Sequence, residues 1–147
     1  VYVIGLETNT VKEVIKLGEM ADASHDGMNM STGISWPHHI YLNPSKTTLS
    51  IGVPGMDLSA GHSGGMAGMK GNIALVDATK GKITKIVELP VMNHNAAFSK
   101  DGSEIWTAQM EESGKVLVYD ANNYALKKTI AVGGQPAEVT FSFDGSM

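Results

Sequence analysis

The sequence predicts an all-β fold, a segment of a β-propeller made of four-stranded antiparallel blades, and three observations predict it. The first is a unit of four short apolar runs joined by tight turns between Asn93 and Gly133. Secondly, the unit recurs. Gly114-Lys-Val-Leu-Val-Tyr-Asp120-Ala matches Gly71-Asn-Ile-Ala-Leu-Val-Asp77-Ala, and Phe98-Ser-Lys-Asp-Gly102 matches Phe141-Ser-Phe-Asp-Gly145, both 43 residues apart. Thirdly, Val11-Lys-Glu-Val-Ile-Lys-Leu17 aligns with Ile83-Thr-Lys-Ile-Val-Glu-Leu89 at an offset of 72, so 29 extra residues sit in insertions. Four antiparallel strands repeating at about forty residues are propeller blades. About three blade-equivalents do not close a ring, because each blade buries its faces only against neighbours. The expectation is therefore a piece of a longer chain, or one completed by other chains, within a seven-bladed ring. A small open β-sheet domain is the alternative.

Residues 1–18 read as the outer half of a blade: a strand, a Thr-Asn-Thr turn, and a second strand alternating Val11, Glu13, Ile15 and Leu17 with Lys12 and Lys16. Residues 37–90 read as a full blade. Pro37 to Leu42 is its first strand, Asn43-Pro44-Ser45-Lys46 a turn, Thr48 to Val53 the second strand, Ile73 to Val76 the third and Ile83 to Leu89 the fourth. Two irregular stretches, 19–36 and 55–70, decorate it, adding about 16 and about 13 residues. Residues 92–133 read as a plain blade with strands at Ala96 to Phe98, Glu104 to Ala108, Val116 to Tyr119 and Leu126 to Val132, the last placing Ile130 and Val132 on one side. Asp-Gly and Gly-Lys at the junctions supply the positive-φ positions that hairpin turns need. Residues 135–147 start the next blade.

Composition narrows the function. There are no cysteines, so disulfides and thiolate metal sites are excluded. All 11 basic residues are lysines and the net charge is −4, without a basic cluster, which argues against nucleic-acid binding. Without arginine, bidentate guanidinium recognition of phosphate or carboxylate is absent. No transmembrane stretch or export signal is present in the segment.

Val116 to Gly145 carries the phrase Val-x-Val-Tyr-Asp-Ala, then Leu-x-x-Thr-Ile-x-Val-Gly-x-x-Pro, then Val-x-Phe-Ser-x-Asp-Gly. This resembles the YVTN-type β-propeller repeat of surface-layer and extracytoplasmic binding proteins. The same superfamily includes the propellers of nitrous oxide reductase and haem-binding nitrite reductase. The resemblance spans nearly the whole chain outside the two insertions. It departs from the repeat at Asn93, where Pro37 and Pro136 stand in the other units, and at Gly5, where Asp77 and Asp120 stand. It implies a periplasmic, secreted or cell-surface protein, with a scaffold or binding role and a protein partner or further blades. It equally admits a metal- or haem-dependent oxidoreductase with a histidine site at the channel mouth. Ala137 breaks that histidine pattern, and no Cys-x-x-Cys-His haem motif is present. A lactonase-like hydrolase would need acidic or arginine residues around the channel that the segment lacks.

Strand direction places both insertions on the face where each innermost strand begins. Those starts read Pro37-His38-His39, Asn93-His94-Asn95 and Pro136-Ala137-Glu138. The repeat makes His38 equivalent to His94, and makes His39, Asn95 and Glu138 equivalent. His25 and His62 lie in the insertions, with Met20, Met28, Met30, Met56, Met66 and Met69. The candidate metal ligands are thus His38, His39, His94, His25, His62, Met28, Met30, Met66 and Met69. Imidazole with thioether and no thiolate suits copper, the cuprous ion above all; zinc usually keeps cysteine or carboxylate company. The purely structural alternative has methionines filling gaps, histidines capping strands and glycine-rich loops flexing. An organic ligand in the channel is the third reading. The repeating Asp77, Asp101, Asp120 and Asp144 read as turn formers, Glu111-Glu112 as a solvated loop, and Trp36 and Trp106 as packing between blades, with Trp36 alternatively flooring the histidine face. Ser31, Ser59 and Ser63 near histidines lack a nucleophile elbow.

Overall fold

The computed structural model describes residues 1–17, 34–58 and 68–146. The described residues hold ten strands: β1 (Tyr2–Gly5), β2 (Thr10–Val14), β3 (Ile40–Leu42), β4 (Thr48–Val53), β5 (Asn72–Asp77), β6 (Lys82–Glu88), β7 (Ala97–Phe98), β8 (Glu104–Gln109), β9 (Lys115–Asp120) and β10 (Leu126–Ala131). They form a two-stranded sheet β1-β2 and two four-stranded sheets, β3-β4-β5-β6 and β7-β8-β9-β10, every pairing antiparallel. This is an all-β, blade-like propeller segment.

Strand alternation explains the stacking. Successive side chains of a strand point to opposite faces, and in β5 both faces are buried. Ala74 and Val76 join Ile15, Leu17, Ile51, Val53 and Ile83 in one apolar cluster, against the first sheet. Ile73 and Leu75 join Leu89, Ala96, Ile105, Leu117 and Tyr119 in a second, against the third sheet. A strand that feeds two cores must be apolar throughout its centre, as Ile-Ala-Leu-Val is.

The turns repeat as closely as the strands. Asp101 Oδ1 accepts from Ser103 N–H (3.0 Å), Ser99 Oγ (2.6 Å) and Ser103 Oγ (2.9 Å). Asp144 does the same with Ser146 N–H (3.1 Å), Ser142 Oγ (2.7 Å) and Ser146 Oγ (2.9 Å). Gly102 and Gly145 follow with φ of 74° and 72°, a conformation glycine adopts without a Cβ penalty. Asp77 accepts from Thr79 and Lys80, and Asp120 from Asn122 and Asn123. Hydroxyl and backbone donors favour the ionised form, holding Asp77, Asp101 and Asp144 at about 2, below the ordinary 3.8. Because the folded pKa is depressed, the stabilisation is present above the unfolded value and is lost as pH falls through about 2. Thermal melts taken stepwise into acid are expected to fall across that window, and less so in a variant with Asp77, Asp101 and Asp144 changed to asparagine. Equal acid sensitivity in the two proteins would remove these turns as the cause.

Three expectations need correction. β3 and β7 begin at Ile40 and Ala97, because residues 37–39 and 93–96 leave the regular ladder. β10 ends at Ala131, one residue short of Val132, and as the outer edge of its sheet it is almost wholly exposed. Trp36 does not pack between blades: it is 52% exposed with a left-handed φ of 59°. Trp106 does bridge units, meeting Phe141 edge-to-face at 5.6 Å while its Nε1–H donates to Glu104 (2.9 Å).

Candidate functional site

Three imidazoles meet where the second and third sheets begin. His38 and His94 are stacked, ring centres 4.5 Å apart and planes at 28°; His38 and His39 are edge-to-face at 4.5 Å, and His39 lies 6.3 Å from His94. His38 Nδ1 and His39 Nδ1 are 2.8 Å apart, a hydrogen bond. His94 is buried at 8% exposure.

A local irregularity brings the two consecutive histidines together. In a regular strand they would point to opposite faces. Here two residues face one: His38 N–H donates to Gly52 O (2.8 Å), and Gly52 N–H donates to His39 O (3.0 Å). Such a bulge re-aims side chains at the end of a ladder. His94 arrives from the next blade because that backbone passes directly over Gly52, with His39 N–H donating to His94 O at 3.4 Å. Ser50 Oγ reaches the Ala96 carbonyl across the same junction.

The unit after β10 contributes a fourth side chain. Glu138 Oε1 lies 3.3 Å from His39 Nε2. Its position follows from Asn95, which is fully buried: Val139 N–H donates to Asn95 Oδ1 (3.1 Å), and Asn95 Nδ2 donates to Val139 O (2.8 Å) and Tyr41 Oη (3.2 Å). Asn95 is therefore an inter-blade clamp. Burial, then the neighbouring His39, lower the His38 pKa below 6.5, against a raising pull from Glu138. His38 is a neutral imidazole at pH 7, with a lone pair available.

Beside the cluster His38 lines an open pocket of about 380 Å³ with Trp36, Pro37, Pro54, Met56, Asp57 and Leu58. Met69 is not among its lining residues and is 38% exposed. His25, His62, Met28, Met30 and Met66 lie outside the described residues, as do Met20, Ser31, Ser59 and Ser63. Among the described residues no three histidine or acidic side chains already converge as a finished metal cage. The donor set nonetheless fits a borderline or soft divalent or cuprous ion, since neutral imidazole suits copper, zinc, iron and nickel. Sequence reasoning missed the Glu138–His39 contact, although the repeat set those two residues at equivalent heights.

No helix among the described residues is long and apolar enough to cross a membrane. No protein-family model matches the chain, and no curated protein matches it. Among solved structures the chain is similar to the hydrazine synthase of Kuenenia stuttgartiensis, at 28% identity and a TM-score of 0.57 over 81% of this chain. The chain spans only 30% of the length of that protein's chain.

Proposed function

We propose that this chain is part of an exported, YVTN-type β-propeller that works as a binding or scaffold module, with a metal site at the cluster of His38, His39 and His94. Copper is the favoured metal. One observation carries the reading: imidazoles from two adjacent blades are in ring contact around a neutral His38 that borders an open pocket. Packing alone does not call for three histidines there, because His38 and His39 stand at least partly exposed and apolar residues would pack against the buried His94 as well. Bound copper would supply a Lewis-acidic or one-electron centre; the chain supplies imidazole donors and a bulged strand that holds two of them on one side. Further blades, from the same chain or from others, complete the ring in this reading.

A second reading is favoured by the likeness to hydrazine synthase: the segment belongs to a redox enzyme, the histidine face lying near its active centre. Absorption spectra of the protein as isolated separate the two, a visible chromophore favouring the redox reading. The primary test is elemental analysis of the protein as isolated and after cuprous loading under reducing conditions. It is run beside a variant with His38, His39 and His94 changed to alanine, whose circular dichroism checks the fold. Stoichiometric copper in the wild type and its loss in the variant are expected. Copper retained in the variant would move the site to His25, His62, Met28, Met30, Met66 and Met69, and none in either protein would end the metal reading.

A further inference from the structure

We propose that the junction of the second and third blades holds one bound water molecule, gripped by Asn93 Oδ1 and Gln109 Nε2 beneath the strand start that carries His94. The site needs no metal at the histidines.

Among the described residues the buried polar side chains are Ser50, Asn93, His94, Asn95, Thr107 and Gln109, and they gather around the Asn93-His94-Asn95 run. The repeat that equates His38 with His94 also equates Pro37, Ile51 and Val53 with Asn93, Thr107 and Gln109. In the second blade Ile51 and Val53 belong to an apolar cluster. The third blade sets a hydroxyl and two amides in those places, where burial is costly unless the polar atoms are bonded.

Strand geometry turns these groups toward one another. Ile105, Thr107 and Gln109 alternate onto one face of β8, and Ile105 packs with Ile73 and Leu75 of the second sheet. Thr107 and Gln109 therefore face the second blade. Met110 N–H donates to Met92 O (3.0 Å), which lays residue 93 alongside residue 109. Asn93 Nδ2 donates to Thr107 Oγ1 (3.2 Å) and to Asn95 O (3.3 Å), so the nitrogen end of this amide is fixed. Its oxygen reaches in beside Gly71, where an added Cβ would lie 2.5 Å from Oδ1.

Two atoms of the group have no protein partner. Asn93 Oδ1 and Gln109 Nε2 are buried, in residues 0% and 2% exposed, and make no hydrogen bond among the described residues. The first only accepts and the second only donates. A cation would be repelled by the Gln109 N–H groups and an anion by the Asn93 oxygen. Water does both jobs at once, donating to Oδ1 and accepting from Nε2, as internal waters do for polar groups that the chain leaves unmatched. Its place is set by Asn93, the residue that stands where the other units have proline.

Oxygen-17 magnetic relaxation dispersion counts long-lived internal waters and does not see the Thr107 hydroxyl proton, whose exchange imitates a bound water in proton spectra. Gln109→Met keeps the length of the side chain and removes the donor. The wild type is expected to show about one more long-lived water than this variant, whose circular dichroism checks the fold. Equal dispersion in the two folded proteins would overturn the site. The wild type alone gives a second reading. Rotating-frame Overhauser spectra are expected to show water in contact with the Gln109 Nε2 protons, opposite in sign to chemical exchange. No contact there would overturn the proposal whether or not the variant folds.

Discussion

Gly52→Ala is expected to lower stability by about 3 kcal/mol, the upper end of what forced overpacking costs, and to part His94 from His38. At an open site with ordinary φ, glycine to alanine stabilises by about 0.4–1 kcal/mol, because the unfolded chain loses freedom. Gly52 has no left-handed φ, so only space decides the sign. A Cβ there would lie 2.2 Å from His94 O, 2.6 Å from His94 C and 2.8 Å from Asn95 Cα. These are backbone atoms, which cannot rotate aside. The two blades must therefore separate at the point where the histidines stack. The corresponding place in the third sheet is Ala108, which is fully buried, so the fold accommodates a Cβ at that position of the repeat. The tight approach belongs to the histidine-bearing junction. For a chain of this size the expected fall in melting temperature is about 10 °C. A melting temperature equal to or above that of the wild type would show that the junction has slack and that the stacked pair is not enforced by the fold.

The strand pattern was legible because it is local and repeated. Apolar runs, Asp-Gly turns and one 43-residue period located β4, β5, β6, β8 and β9 to within a residue. The period also equated His38 with His94, and equivalent strand phases do bring those rings together. The contact between His38 and His39 was not legible, since alternation sends neighbours apart and only the two-against-one pairing at Gly52 reunites them. Such a bulge depends on which backbone crosses Gly52, a tertiary fact. Trp36 departs from the inter-blade reading, with a left-handed φ, and lines the pocket beside His38, in keeping with the alternative that put it at the histidine face. Asn95 was equated by the repeat with His39 and Glu138. Its buried amide instead pairs with the Val139 backbone, a role that short polar residues fill without periodic signature.

Asn95→Ala is the other large effect, expected to cost about 3 kcal/mol and to loosen residues 135–146. The amide donates to Val139 O and Tyr41 Oη and accepts from Val139 N–H, all from a fully buried position. Each such bond nets about 1 kcal/mol, and a buried backbone group left without a partner costs about 1–3 kcal/mol more. Asn95→Asp is expected to be no milder, because its carboxylate still accepts from Val139 N–H but sets a second acceptor against Val139 O. Amide hydrogen exchange at Val139 is the sharper readout, with faster exchange expected there before any change in β8 or β9. Two other ties hold the same segment: Lys100 Nζ–H donates to Asp144 O (2.8 Å), and Phe141 meets the Trp106 ring. Unchanged exchange at Val139 in Asn95→Ala would assign the docking of this segment to those ties instead.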